Sequence, residues 1–218
     1  MGEIKKDKER IRIYKTIIFD VDGTLIDTEK AVLGSLQKML KEDYGKQMQL
    51  EELAFVLGIP GSRSLPKLDI MDIEQANKRW NRFMKEFYHE IEVFDGIKEV
   101  LGSLEDRNLV LGIVTSKTNQ EIIDDFEPFG LSGYMMHTVS ADDTEKHKPN
   151  PDPLLKFLEI SGADPKTAIY IGDTVYDYEC ARDAGIDFGL ALWGCKHPEK
   201  ISATYNFEKP QDIMRILE

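Results

Sequence analysis

Two rhythms of apolar residues alternate along the chain, and the first change between them comes early. Ile17-Ile18-Phe19 is a short, β-branched apolar run of strand length that stops at Asp20 and Asp22, two acids flanking Val21 in a glycine-containing turn. After Asp27 the period lengthens. Val32, Leu33, Leu36, Met39 and Leu40 share one face of a helix predicted over 29–43 and ended by Gly45. A second short helix is predicted over 50–57 before Gly58, and the turn-rich stretch GIPGSRSLPKL breaks the pattern. Ile73, Ala76, Trp80, Phe83, Met84 and Phe87 then return to helical spacing over 72–90, a stripe that reads as core.

Past residue 92 strands and helices alternate. Strands are predicted over 109–116, more weakly over 134–140, from Ala168, over 188–193 and at 205–207. Helices over 96–106, 119–126, 153–160, 175–184 and 211–217 fit between them. This order implies an α/β fold with a doubly wound, mostly parallel, Rossmann-like sheet. The all-helical block of residues 28–92 is far too long for one crossover helix. It reads as an inserted small α-helical cap domain, with residues 1–27 and 93–218 forming the α/β core.

Composition narrows the function classes. Of 218 residues, 41% are hydrophobic and 31% charged, which is globular, and no apolar run approaches membrane-spanning length. The first fifteen residues are charged and lack the apolar region of a signal peptide, so a cytoplasmic location is expected. Lys5, Lys6, Lys8, Arg10 and Arg12 alternate there with acids and read as a solvated extension. A net charge of -12 disfavours nucleic acid and anionic membranes, and an anionic ligand would require locally concentrated positive charge. Cys180 and Cys195 have no CxxC spacing and read as a small core residue and a free loop thiol.

The candidate chemistry lies at strand ends, where open α/β sheets bind ligands. Asp20 and Asp22 follow the first strand, Gly23 permits a close turn, and Thr24 supplies a hydroxyl. Thr115 and Ser116 end the second core strand, where a hydroxyl and backbone N–H groups can hold phosphate oxygens or cap a helix. The proline-stiffened stretch EKHKPNPDP offers Lys146, His147 and Lys148 as fixed cations. In YIGDTVYD, Asp173 ends a strand and Asp177 lies one helical turn on. Asp20, Asp22, Asp173 and Asp177 would repel one another without a cation, and hard oxygen ligands without His or Cys point to Mg²⁺.

DVDGTLIDT, the Thr115 strand end, a lysine before a helix and GDTVYD, in that order over residues 16–218, resemble the four motifs of the haloacid dehalogenase superfamily of phosphohydrolases. The insert after the first motif, and the string LALWG, are similar to the branch containing phosphoglycolate phosphatase, pyrophosphatase and β-phosphoglucomutase. The resemblance selects Lys148 among the three cations. It implies that Asp20 attacks phosphorus to form an aspartyl-phosphate and that Asp22 acts as general acid, then base. It implies Mg²⁺ on the Asp20 and Asp173 carboxylates and the Asp22 carbonyl, with Asp177 orienting Lys148 or a metal-bound water. Thr115 and Lys148 would bind the transferring group, with Gly23, Thr24 and Ser116 around it.

The partner implied is a small phosphorylated metabolite of the phosphoglycolate kind, and the protein a monomer or homodimer. Arg63 and Lys67, in the break between cap helices, are candidates for touching the leaving group. Rival readings are a phosphomutase, a pyrophosphatase or nucleotidase, and a non-catalytic binding protein. Asp22-Gly23-Thr24 favours hydrolysis over the mutases, which usually have DGV or DGI. Phe94-Asp95-Gly96 departs from the Pro-Gly common in relatives.

Overall fold

The computed structural model describes residues 13–217, so Lys5, Lys6, Lys8, Arg10 and Arg12 lie outside the described residues. Along the chain, β1 (Thr16–Phe19) and the short β2 (Ile26–Asp27) precede α1 (Glu29–Tyr44), α2 (Leu50–Leu53), α3 (Gly61–Ser64) and α4 (Ile73–Met84). The chain then continues through β3 (Glu92–Val93), α5 (Ile97–Glu105), β4 (Val110–Val114), α6 (Asn119–Asp125) and β5 (His137–Val139). It ends with α7 (Asp152–Ser161), β6 (Ala168–Gly172), α8 (Val175–Ala184), β7 (Asp187–Ala191), β8 (Tyr205–Phe207) and 3-10 turns over Pro210–Leu217. Among the described residues no helix is long and apolar enough to cross a membrane.

Six strands form one parallel sheet in the order β5-β4-β1-β6-β7-β8. Both faces are covered, which is why Ile17, Ile18 and Phe19 of its central strand are all apolar and all buried. Ile17 and Phe19 pack on one face with Leu111, Ile113, Ile169 and Ile171, beneath Val100, Leu101 and Leu104 of α5. Ile18 packs on the other face with Val114 and Tyr170 and with Leu154, Phe157, Cys180 and Ala181 of α7 and α8. Each such fully buried aliphatic side chain contributes about 1.5–3 kcal/mol.

The helical insert has its own core, in which Leu36 and Leu40 of α1 meet Leu53, Leu65, Trp80 and Phe83. Its two connections run side by side, because Ile26 and Asp27 pair antiparallel with Val93 and Glu92. Two predicted helices are shorter than their apolar pattern. The helix expected over 50–57 tightens to a 3-10 turn at Ala54–Val56, and the one over 72–90 does so at Lys85–Glu90. In the second case Phe87 and Tyr88 pack against the core of the sheet while Trp80 and Phe83 stay in the insert. The tighter winding turns the stripe from one core to the other.

Candidate functional site

Sheet register assembles the site. Phe19 is level with Ile113 of β4 on one side and Ile171 of β6 on the other, and the Asp20 N–H donates to the Ile171 carbonyl at 2.8 Å. Asp20, Thr115 and Asp173 therefore leave three adjacent strands at one edge, where the chain's strand order switches sides. Gly23, at φ +77°, turns the loop so closely that a Cβ there would lie 2.3 Å from Asp173 Oδ2. Trp193, from LALWG, fixes the same loop by donating its indole N–H to the Thr24 carbonyl at 3.0 Å.

Lys148 is the hub of the deeper half. It is 1% exposed, and its three ammonium protons have three acceptors: Asp20 Oδ1 at 2.8 Å, Asp177 Oδ1 at 2.6 Å and the Tyr170 hydroxyl at 3.0 Å. It precedes a cis peptide to Pro149. The other Asp177 oxygen accepts from the Thr174 N–H at 3.0 Å and hydroxyl at 2.5 Å, closing a capping box at the start of α8. Burial opposes charge on Lys148, but Asp177 and Asp20 outweigh it and hold the ammonium above its ordinary pKa. Burial pushes the Asp20 carboxyl up to about 7 against the pull of Lys148, with Asp177 and Asp22 adding to the rise. Asp173 is raised well above the carboxylate range by burial and by Asp177 and Asp20.

The structure divides the four acids expected around one cation. Ligand atoms of Asp20, Asp173 and Asp177 lie within 4.8 Å of one another. The Asp22 carboxylate, in the turn past the strand, is instead held by Lys117 Nζ at 2.9 Å and the Thr28 hydroxyl at 2.7 Å. Lys117, 7% exposed, is held in turn by Asp125 Oδ2 at 2.9 Å. Burial, opposed by Lys117 and supported by Asp22, raises Asp125 to about 6, and its Oδ1 has no hydrogen-bond partner among the described residues. The donor set of the deeper cluster suits a hard divalent cation: three carboxylates meet there with one lysine among them. Asp177 has protein donors on both oxygens, from Lys148 on one and from Thr174 on the other.

Thr115 is 3% exposed; its N–H donates to the Val139 carbonyl and its hydroxyl oxygen accepts from the Lys117 N–H. Thr24 donates its hydroxyl to Asp173 at 3.4 Å. Ser116 reaches the insert, donating to the Gly58 carbonyl at 3.3 Å. Arg63 reaches the opposite way and donates to the Lys148 carbonyl at 2.9 Å. Lys67 lies over the Phe55 ring, 5.5 Å from its centroid. A cavity of about 740 Å³ separates the strand-end loops from the insert, with Asp22, Gly23, Ser116 and Asp173 on the core side.

Sequence reasoning missed Lys117, Asp125 and Tyr170. A lysine after a strand end reads as solvated and an acid in the last turn of a helix reads as surface. The available signal was Lys117 directly behind Thr115-Ser116, with apolar Ile122 and Phe126 showing that this face of α6 is buried.

A doubly wound parallel sheet with acids and a buried lysine converging at its switch point defines an α/β enzyme whose site lies at the strand ends. Residues 17–191 match the family described as haloacid dehalogenase-like hydrolase, and the chain belongs to that family. It is 28% identical over 206 residues to pyrophosphatase PpaX of Bacillus mycoides, covering 93% of this chain and 96% of the relative. It is 29% identical over 209 residues to a phosphoglycolate phosphatase of Aquifex aeolicus, covering 94% and 97%. A crystal structure from Lactobacillus plantarum, provisionally assigned to the phosphoglycolate phosphatases, superposes with a TM-score of 0.86 at 32% identity, covering 94% of this chain and 99% of that one.

Proposed function

We propose that this protein is a Mg²⁺-dependent phosphatase that hydrolyses small phosphate monoesters through an aspartyl-phosphate on Asp20. The observation that carries the reading is the convergence of Asp20, Asp173 and Lys148 at the ends of β1 and β6, beside a cavity large enough for a substrate. A carboxylate clamped by a lysine at 2.8 Å is fixed in orientation, as an attacking group must be.

In the first displacement an Asp20 oxygen bonds to phosphorus as the ester oxygen departs, and Asp22 gives that oxygen a proton. In the second, water attacks the same phosphorus, Asp22 takes the proton, and Asp20 is released with inorganic phosphate. Lys148 and the Thr115 hydroxyl bind the transferring oxygens, with Gly23, Thr24 and Ser116 closing around them. Asp177 holds Lys148 in place. Mg²⁺, held by the Asp20 and Asp173 carboxylates and the Asp22 carbonyl, would neutralise charge that otherwise repels a dianionic substrate. The insert acts as a cap that keeps bulk water from the intermediate, a role supported by the contacts of Ser116 with Gly58 and of Arg63 with Lys148.

A pyrophosphatase reading rests on relatives of that name, and a phosphomutase would use the same two aspartates. Measuring inorganic phosphate released from p-nitrophenyl phosphate and a panel of phosphorylated metabolites, with Mg²⁺ or with EDTA, tests the proposal. Release is expected with Mg²⁺ and lost in EDTA and in Asp20→Asn. A wild-type rate in Asp20→Asn overturns the assignment, and sugar phosphates interconverted without phosphate release favour the mutase.

A further inference from the structure

The two sides of the cavity differ in charge in a way that bears on the leaving group. Among the described residues its lining carries nine carboxylates, three lysines, Lys117, Lys196 and Lys200, and two histidines, His147 and His197, with all five basic residues on the core side. Lys117 is locked between Asp22 and Asp125, Lys196 pairs with Glu29 at 2.5 Å, and Lys200, exposed to solvent, lines the core side across from the insert. A second anionic group on the substrate needs a cation that is not already engaged.

The cap provides none. Among the described residues its lining offers two acids, Glu29 and Glu51, two amides, Asn77 and Asn81, and apolar surface from Phe55, Leu57 and Trp80, with no lysine, arginine or histidine. Arg63 and Lys67 stand outside the lining, one on the Lys148 carbonyl and the other over the Phe55 ring. Trp80 gives its indole N–H to the Ser35 hydroxyl at 2.9 Å, so its contribution to the cavity is its ring surface. Leaving a carboxylate or second phosphate in such surroundings costs its hydration without a partner. Size points the same way, since about 740 Å³ is a volume for a ring-bearing ligand and far exceeds glycolate or a second phosphate.

We infer that the substrate's leaving group is an uncharged, ring-bearing alcohol of the nucleoside or sugar kind, received by the cap through Trp80 and Phe55 on its apolar face and Asn77 and Asn81 on its polar groups. This rests on the phosphatase reading and deepens it. It separates this chain from relatives named for pyrophosphate or phosphoglycolate, substrates whose leaving groups carry negative charge.

The test compares kcat/KM in Mg²⁺ for a nucleoside 5′-monophosphate, a hexose 6-phosphate, phosphoglycolate and pyrophosphate, each relative to p-nitrophenyl phosphate. At least one neutral ring ester is expected to exceed both anionic substrates by about tenfold or more, and the better of the two identifies the alcohol. Asn81→Lys, checked for an unchanged melting profile, is expected to raise the phosphoglycolate ratio by roughly tenfold by supplying the missing cation. Turnover of p-nitrophenyl phosphate with phosphoglycolate or pyrophosphate as the best substrate overturns the inference and leaves the phosphatase reading standing. No phosphate from any substrate, p-nitrophenyl phosphate included, overturns both.

Discussion

The two aspartates of the first loop, separated by one residue, are each gripped by a buried lysine backed by a second aspartate, yet the two grips differ. Lys148 sits between Asp20 and Asp177 with its third proton on Tyr170; Asp177 accepts further bonds from Thr174 and Tyr170, and the Tyr170 hydroxyl lies within donating distance of the Val114 carbonyl. Lys117 sits between Asp22 and Asp125 at the edge of the cavity, and Asp125 keeps one oxygen without a partner among the described residues. The first arrangement is rigid and closed, suited to a group that forms a bond at one fixed point. The second borders the cavity, where a group that gives and takes protons must meet the leaving oxygen and then water. On the proposed mechanism, preorganisation is concentrated where covalent chemistry needs it.

The largest expected effect is on Asp20. Asp20→Asn should lower phosphate release about 10⁴-fold or more while leaving the circular dichroism spectrum unchanged, because the amide cannot form the phosphoenzyme. Lys148→Met should follow, with kcat down about 10²–10³-fold. Removing this cation also leaves Asp20 and Asp177 buried without it, and about 3–5 kcal/mol of stability should be lost in urea titration without Mg²⁺. A Lys148→Met protein as stable and active as wild type would dissolve the contrast between the clamps.

Lys117→Met should be milder and selective. Without its hold on Asp22, kcat for an alkyl phosphate, whose leaving oxygen needs a proton, should fall about 10–10²-fold, while p-nitrophenyl phosphate, whose leaving group departs as an anion, should change little. Equal losses on both substrates would mean that Lys117 supports only the fold.

The smallest effect is on stability against pH. Asp20 stands at about 7 in the folded protein against 3.8 for the free side chain, so the metal-free fold holds the extra proton. That stabilisation is fully present below about pH 4 and is lost as pH rises through 7, by at most about 1.4 kcal/mol per pH unit for each proton. Mg²⁺ binds the ionised carboxylate, so the rise in melting temperature on adding it should grow from pH 5 to pH 8. A constant rise across that range would contradict the placement of the cation on Asp20.

Much of this was legible in the chain. The apolar run ending at Asp20 marked the central strand because a strand buried on both faces has no polar position until it leaves the sheet. Asp173 was legible for the same reason. Lys148 was not distinguishable by pattern from Lys146 and His147, since all three share one stiff segment, and resemblance alone selected it; the fold buries Lys148 and leaves Lys146 exposed. Arg63, expected near the leaving group, reaches from the helical insert to the Lys148 carbonyl, a pairing between residues 85 apart in the chain that no local pattern announces.

The order of strands and helices, the long helical insert and the acids at the strand ends are written in the chain itself, because these depend on local periodicity and on where apolar runs stop. Only the folded arrangement shows which lysine serves which aspartate, that Lys117 and Thr28 hold the Asp22 carboxylate, and that, among the described residues, the insert lines the cavity without a basic side chain. Those outcomes depend on sheet register and on packing between distant segments, which bring charges within 3 Å of each other and carry no period along the chain.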